Sequence, residues 1–171
     1  MYDTGAERQG DKMEFPKKFP KNFLWGTAAS AYQIEGRDPH DGKGDHIWNI
    51  YEREPGHIYE NQTGDIACDH IHRFKEDVAI MKKMGLKAYR FSMDWSRLLP
   101  EGTGRVNEAG VKFYSDLIDE LLANGVEPFI TMYHWELPYE LYKKGGWLNR
   151  DIAEWFGEYA KLIAERFSDR V

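Results

Sequence analysis

Apolar residues recur every three or four positions in three stretches of the chain, and each stretch predicts an amphipathic helix. The predicted helices cover residues 66–84, 107–124 and 149–167. Asn107 and Asn149 are suitable N-terminal caps, because an asparagine side chain can accept a hydrogen bond from a free N–H of the first turn. Gly85 and Gly125 follow the first two stretches and are typical of a helix end.

A short run of strand-forming residues precedes each of these helices. The runs are residues 23–28, 88–93 and 129–133. Residues 37–64, between the first strand and the first helix, are rich in Gly, Pro, Asp and His and show no sustained period. They predict a long ordered loop, and such loops inside compact domains are usually functional. Strands that alternate with helices predict parallel βαβ units with right-handed crossovers.

Three βα units cannot close a barrel, because a sheet of three strands keeps two unpaired edges and one uncovered face. The sequence therefore predicts an α/β fold of the (β/α)8 barrel type, of which this chain supplies about the first three βα units. Residues 1–14 are predicted to be a polar N-terminal extension, and residues 15–171 the N-terminal part of the barrel.

Composition narrows the possible partners. The 171 residues carry 29 acidic and 23 basic side chains, a net charge of −6, which argues against nucleic acid or an anionic membrane surface as the partner. Aromatic residues make up 15% of the chain, with six Trp and ten Tyr. Such a content suits either a site for sugar rings or a dense core, and composition does not separate the two.

The cysteine content and the N-terminus bear on location. Cys68 is the single cysteine, so an internal disulfide is excluded. The first 13 residues contain no apolar core of a signal peptide, and no stretch approaches the roughly 18 apolar residues that a membrane span needs. A cytoplasmic protein is predicted.

Residues at the ends of the strands are the candidates for chemistry. Alternation along the second strand places Arg90 on the face opposite Tyr89 and Phe91, which would be the inside of a barrel. A buried Arg90 needs a carboxylate, either in a structural ion pair or in an acidic site. His134 and Trp135 follow the third strand, where α/β barrels bind their ligands. Gln33 follows the first strand and could bind a pair of sugar hydroxyls.

Four carboxylates also lie near the predicted strand ends: Glu35, Asp94, Glu127 and Glu136. Two carboxyl groups about 5 Å apart can carry out retaining glycoside hydrolysis, one as acid/base and the other as nucleophile. Position alone makes Glu35 and Glu136 the most attractive pair, although nothing in the sequence fixes their separation.

Metal and cofactor motifs are weak. Cys68, His70 and His72 lie close together without a second ligand group, which favours a solvated helix start over a zinc site. Residues 38–45 lack the calcium-loop pattern, residues 42–44 lack the rest of a phosphate loop, and no dinucleotide motif follows the first strand. No metal and no cofactor are predicted.

Several short segments occur together in one order. They are Phe23-Leu24-Trp25-Gly26-Thr27-Ala28, Tyr32-Gln33-Ile34-Glu35-Gly36, Tyr89-Arg90-Phe91-Ser92, Trp95-Ser96-Arg97, Tyr133-His134-Trp135-Glu136-Leu137-Pro138 and Gly145-Gly146-Trp147. In these segments and their order, residues 15–171 resemble glycoside hydrolase family 1, the β-glucosidase family.

The resemblance implies a (β/α)8 barrel that hydrolyses β-glycosides, such as terminal β-D-glucosides, with retention. It implies that Gln33 and His134 hydrogen-bond the hydroxyls of the non-reducing sugar and that Trp135 lies against the same subsite. Arg90 would sit beside the nucleophilic carboxylate and keep it ionised.

The resemblance also places both catalytic glutamates outside this chain, since the acid/base lies at the end of the fourth strand and the nucleophile near the seventh. Glu35 and Glu136 are therefore not expected to be catalysts. The chain alone is expected to be inactive and to need a complementary C-terminal barrel segment, from the same gene or a second chain.

The chain departs from the family pattern at two of these carboxylates. Glu136 stands where Asp usually follows His-Trp, and Asp94 stands where a small residue such as Ser is common. Three alternatives stay open: a non-catalytic partial barrel that binds a sugar or a partner, a 6-phospho-β-glycosidase, and a β-galactosidase of the same family.

Overall fold

The computed structural model describes residues 18–171, in which three strands form one parallel sheet. The strands are β1 (Gly26–Ala28), β2 (Ala88–Ser92) and β3 (Glu127–Thr131), and their order in the sheet is β1-β2-β3. Gly26 pairs with Ala88, and Ala88 pairs with Glu127, so the first residues of the three strands lie side by side. The predicted parallel βαβ arrangement is confirmed. The predicted extension, residues 1–14, lies outside the described residues.

Seven helices connect and cover the strands in the described part of the chain. They are α1 (Ala31–Ile34), α2 (Ile47–Arg53), α3 (His70–Lys83), α4 (Trp95–Leu98), α5 (Glu108–Ala123), α6 (Tyr139–Lys143) and α7 (Ile152–Phe167). Short 3-10 turns occur at Tyr59–Asn61 and Gly146–Leu148. The long helices α3, α5 and α7 are the three that the apolar period predicts.

Several predicted boundaries are wrong. Helix α3 begins four residues late, because Ala67 and Asp69 adopt left-handed backbone angles that interrupt a helix. Helix α7 begins after Asp151, which makes no capping bond with its side chain, and Asn149 lies two residues before that position. The Asn149 side chain instead accepts a hydrogen bond from the Asp151 N–H at 3.0 Å. The long loop contains α2, which has only seven residues and is too short to show a clear helical period.

The core lies between one face of the sheet and the three long helices. Tyr89, Phe91 and Met93 are at most 3% exposed, as the alternation along β2 predicts. Tyr159 of α7 fastens the helix to the sheet, since its hydroxyl lies 3.0 Å from the Met93 carbonyl and 2.8 Å from the Met132 carbonyl. These contacts hold the ends of β2 and β3 side by side.

The opposite face of the sheet is uncovered within residues 18–171. Arg90 and Phe129, neighbours on β2 and β3, both point away from the core and are exposed. An uncovered sheet face is what an incomplete barrel leaves, so the structure is a partial barrel of three βα units. None of the described helices is both long enough and apolar enough to cross a membrane.

Candidate active site

The parallel strands bring the predicted sugar-binding residues to one edge of the sheet. Gln33 lies in α1, directly after β1, and is exposed. His134 and Trp135 follow β3 by three and four residues; His134 is partly buried and Trp135 is 63% exposed. Because the carboxyl ends of parallel strands share an edge, both segments lie at the ligand-binding end of the partial barrel.

The polar atoms of Gln33 and His134 are free for a ligand. Within residues 18–171, neither side chain makes a hydrogen bond to another protein group. The two residues can therefore offer donors and acceptors to hydroxyl groups without breaking existing contacts.

Arg90 lies on the open face of β2, as the alternation of side chains along this strand predicts. Its guanidinium donates a hydrogen bond to Thr131 Oγ1 at 3.2 Å. Across the described part of the chain, no carboxylate lies within ion-pair distance of Arg90. The acidic partner that a buried Arg90 would need is therefore not supplied by residues 18–171.

Backbone contacts tie the strand ends together around these residues. The N–H of Ala29 donates to the Arg90 carbonyl at 2.9 Å, and the N–H of Ala31 donates to Ser92 Oγ at 2.7 Å. The N–H of Met93 donates to the Thr131 carbonyl at 3.0 Å. The segments that follow the three strands are thus hydrogen-bonded to one another at this edge of the sheet.

Trp135 has a strained backbone. Its φ angle is +81°, a left-handed conformation that a non-glycine residue rarely adopts, and the Leu137 N–H donates across the bend to the Trp135 carbonyl at 2.9 Å. Strain of this kind costs about 1–3 kcal/mol and is found most often at functional sites. The bend turns the indole outward at the edge.

This strain predicts an unusual order of stability between two variants. Trp135→Gly should be more stable to urea than Trp135→Ala by about 1 kcal/mol, because both lose the indole but only glycine accepts the positive φ at little cost. The free energy of unfolding measured by circular dichroism checks this. At an ordinary exposed position glycine is the less stable of the two, so that order would contradict the strained conformation.

A buried ionic network lies beneath the site. Arg97 is fully buried and donates from Nε to Glu35 Oε2 at 2.9 Å, from Nη1 to Asp41, and from Nη2 to the Gly36 carbonyl at 3.0 Å. Tyr114 donates to the other oxygen of Glu35 at 2.7 Å. Both oxygens of Glu35 therefore have partners, and Glu35 is a member of a buried ion pair in this structure.

Asp94 forms a second buried charge cluster. Its Oδ2 lies 2.6 Å from Lys43 Nζ and 3.6 Å from His46 Nε2, and its Oδ1 accepts from the Ser96 N–H at 2.9 Å. Burial alone would raise the pKa of Asp94, but Lys43, His46 and Arg97 outweigh it and hold that pKa well below the usual range. Burial lowers the pKa of His46 to about 4, so its ring is neutral at pH 7.

Glu136 is also a buried carboxyl group, at 1% exposed. Its Oε1 accepts a hydrogen bond from the Tyr32 N–H at 3.1 Å, and its Oε2 has no partner among the described residues. Burial raises the pKa of Glu136 to about 8, and the charge of Asp94 adds to the shift. Glu127, in contrast, begins β3 and lies at the opposite edge, so its predicted place near the site is wrong.

Sequence reasoning missed the role of Lys43 and of Arg97. In the sequence, Lys43 stands out only as part of an incomplete phosphate loop, yet its ammonium is the buried counter-ion of Asp94. One signal in the sequence points to Lys43: Asp94 stands where the family pattern has a small residue. A buried Asp94 requires a cation, but the sequence does not say which one.

The histidines near Cys68 do not form a metal centre. Cys68 is exposed and precedes α3, so it does not share a helix face with His72. The prediction of a solvated helix start is wrong for His70, which is buried with its Nδ1 2.6 Å from Asp77 Oδ2. In the part of the chain that the structure describes, no group of three His, Cys, Asp or Glu residues is placed to hold a metal ion.

Comparison with known proteins gives one consistent result. The family model described as glycosyl hydrolase family 1 matches residues 15–171. β-Glucosidase A from Thermotoga maritima is 56% identical over 155 residues, which is 91% of this chain and 35% of the relative. An aryl-phospho-β-D-glucosidase from Bacillus subtilis is 52% identical over 159 residues, 92% of this chain and 33% of the relative.

Solved structures agree. The T. maritima β-glucosidase in complex with deoxynojirimycin is 55% identical and superposes with a TM-score of 0.88 over 91% of this chain and 35% of its own. The structure of the same enzyme in complex with castanospermine gives the same identity and TM-score, and the match covers 36% of its chain. This chain thus spans about a third of the length of the relatives that it matches.

Proposed function

Because the chain belongs to glycosyl hydrolase family 1, we propose that the protein containing it is a retaining β-glucosidase that hydrolyses terminal β-D-glucosides. The observation that carries the proposal is the shared edge of β1 and β3, where Gln33, His134 and Trp135 lie with unbonded polar atoms and an exposed indole. Relatives named β-glucosidases cover most of this chain at more than half identity.

In this function the chain supplies one wall of the sugar site. Gln33 and His134 hydrogen-bond hydroxyl groups of the non-reducing glucose, and Trp135 packs its ring against the apolar face of that sugar. Arg90, on the inner face of β2, lies beside the nucleophile that another strand supplies and favours its ionised form. The two carboxyl groups of the reaction belong to a complementary segment of the barrel.

A 6-phospho-β-glucosidase is the second candidate, and the relative from B. subtilis that is named an aryl-phospho-β-D-glucosidase favours it. Comparing kcat/KM for an aryl β-glucoside with that for its 6-phosphate separates the two. We expect the unphosphorylated glucoside to be preferred. The cytoplasmic location and the domain boundary at residue 15 stay predictions.

We predict that residues 1–171 alone do not hydrolyse an aryl β-glucoside, and that activity appears when the chain completes a barrel. A chimera tests this: this chain replaces the matching 155-residue segment of T. maritima β-glucosidase A. The expected result is no turnover by the chain, and turnover by the chimera that a mechanism-based glucoside inactivator blocks.

The control for this experiment is the same relative with its own segment deleted. Inactivator-sensitive turnover by residues 1–171 alone would contradict the prediction. A folded chimera without turnover would instead favour the non-catalytic, sugar- or partner-binding partial barrel.

A further inference from the structure

Glu136 connects the two segments that carry the proposed sugar-binding residues. Its Oε1 accepts the Tyr32 N–H at 3.1 Å, across 104 residues of sequence. Tyr32 immediately precedes Gln33, and Glu136 immediately follows Trp135. One partly buried hydrogen bond therefore joins the segment after β1 to the segment after β3, next to the residues that we propose bind the sugar.

We propose that Glu136 is a positioning residue: its buried carboxyl latches the Gln33 segment to the His134–Trp135 segment and so holds the sugar-binding edge in its binding geometry. This inference rests on the proposed function and adds a residue to it. Glu136 does not touch the sugar. It acts through the backbone of Tyr32 and through the bend at Trp135.

The neighbouring contacts make the latch specific to this side chain. The Tyr32 hydroxyl is held separately by Glu52 Oε2 at 2.5 Å, so the ring is fixed from the other side and only the backbone N–H depends on Glu136. A carboxyl group one methylene shorter, the residue that the family pattern favours at position 136, would have to reach the same N–H from further away.

The charged groups around Glu136 determine whether its carboxyl group is protonated when the latch is formed. The ionisable groups that act on Glu136, or are acted on by it, are Glu35, Asp94, Tyr133 and Tyr159. Lys43 and His46 lie against Asp94 and complete this set of groups. Lys43 is committed to Asp94, and no cation bonds to Glu136 within residues 18–171.

This arrangement makes the latch weaken at high pH. Below its pKa of about 8, Glu136 is neutral and is tolerated in its buried place. Above that value it would add a second negative charge close to Asp94 in a site closed to water, which is costly. Because the pKa of Glu136 in the folded latch lies above the ordinary glutamic acid value of 4.5, the stabilisation is fully present below about pH 4.5 and is lost as the pH rises through about 8.

The test measures glucose binding, as the inhibition constant against an aryl β-glucoside, in the chimera with T. maritima β-glucosidase A. Glucose is used because it carries no ionisable group in the range studied. The variants are Glu136→Ala, which removes the latch, and Glu136→Gln, which keeps the acceptor without the charge. Glu140→Gln is the matched control, since Glu140 is a half-buried residue of α6 whose carboxylate is paired with Lys143.

At about pH 6.5, Glu136→Ala should raise the inhibition constant of glucose about tenfold, because a displaced segment loses its alignment with the sugar. Glu136→Gln should restore the parental value within about twofold. Between about pH 6.5 and pH 9 the parental chimera should lose at least about threefold in affinity, while Glu136→Gln should stay flat. Glu140→Gln should follow the parent throughout.

An affinity of Glu136→Ala within twofold of the parent overturns the latch. If Glu136→Ala does not fold, the comparison of Glu136→Gln with the parent decides: coincident pH profiles overturn the inference, and a flat profile for glutamine supports it. A purely space-filling role would leave the pH profile unmoved. A folded parental chimera that neither hydrolyses the aryl β-glucoside nor binds glucose would contradict the proposed function itself. An active parental chimera whose glucose affinity is unchanged in Glu136→Ala would contradict only the latch.

Discussion

Replacing His134 by alanine in the chimera should lower kcat/KM for an aryl β-glucoside by about a hundredfold, which corresponds to about 2.7 kcal/mol of transition-state stabilisation. The ring lies directly after β3 at the ligand-binding edge, and within residues 18–171 it makes no hydrogen bond that would compete with a sugar hydroxyl. Removing a group that bonds a substrate hydroxyl leaves that hydroxyl unpaired in a closed site, and such losses are large.

The matched control for this prediction is His40→Ala. His40 is an exposed histidine of the loop before α2 and has no place in the proposed site. Its kcat/KM should stay within about twofold of the parent, in the range expected for surface substitutions. A loss of less than fivefold for His134→Ala, or an equal loss for both variants, would contradict the role of His134 in sugar binding.

Replacing Arg97 by methionine should destabilise the fold by about 3–5 kcal/mol, which is the usual cost of removing one partner from a buried ion pair. The side chain is fully buried and donates to Glu35, Asp41 and the Gly36 carbonyl. Methionine fills much of the volume but leaves Glu35, which is 3% exposed, with no cation at 2.9 Å. Urea unfolding of the chain, followed by circular dichroism, measures the loss.

Two further variants serve as controls for Arg97→Met. Arg97→Lys keeps the charge but cannot reach three acceptors at once, so we expect an intermediate loss of about 2 kcal/mol. Arg105→Met removes an exposed arginine eight residues away and should change stability by less than about 0.5 kcal/mol. Equal stability of Arg97→Met and Arg105→Met would show that the network contributes nothing to the fold.

The architecture followed from local signals. The apolar period of α5 and α7, and the alternation of Tyr89, Arg90 and Phe91 along β2, both report which face of an element is buried. Parallel order then places residues that follow β1 and β3 at one edge of the sheet, which is why the sequence predicts a shared site for Gln33 and His134. Helix α2 escaped prediction because seven residues span too few turns for a period to appear.

Carboxylates could not be assigned in the same way, because their roles depend on partners that are distant in the sequence. Glu35 and Glu136 looked alike by position. The structure separates them: Glu35 is paired with Arg97 across 62 residues, and Glu136 is held without a cation and has a pKa of about 8. Glu127 was misplaced because strand-end proximity in the sequence does not say at which end of β3 it lies.

The sequence by itself therefore determined the order of the three strands and the three long helices, their buried faces and the family, because each depends on periodicity or on motifs within a few residues. The tertiary structure alone decided the buried clusters of Arg97 and Asp94, the left-handed bend at Trp135 and the bond from Tyr32 to Glu136. These depend on contacts between segments that only folding brings together, where burial from water sets the charge state of each group.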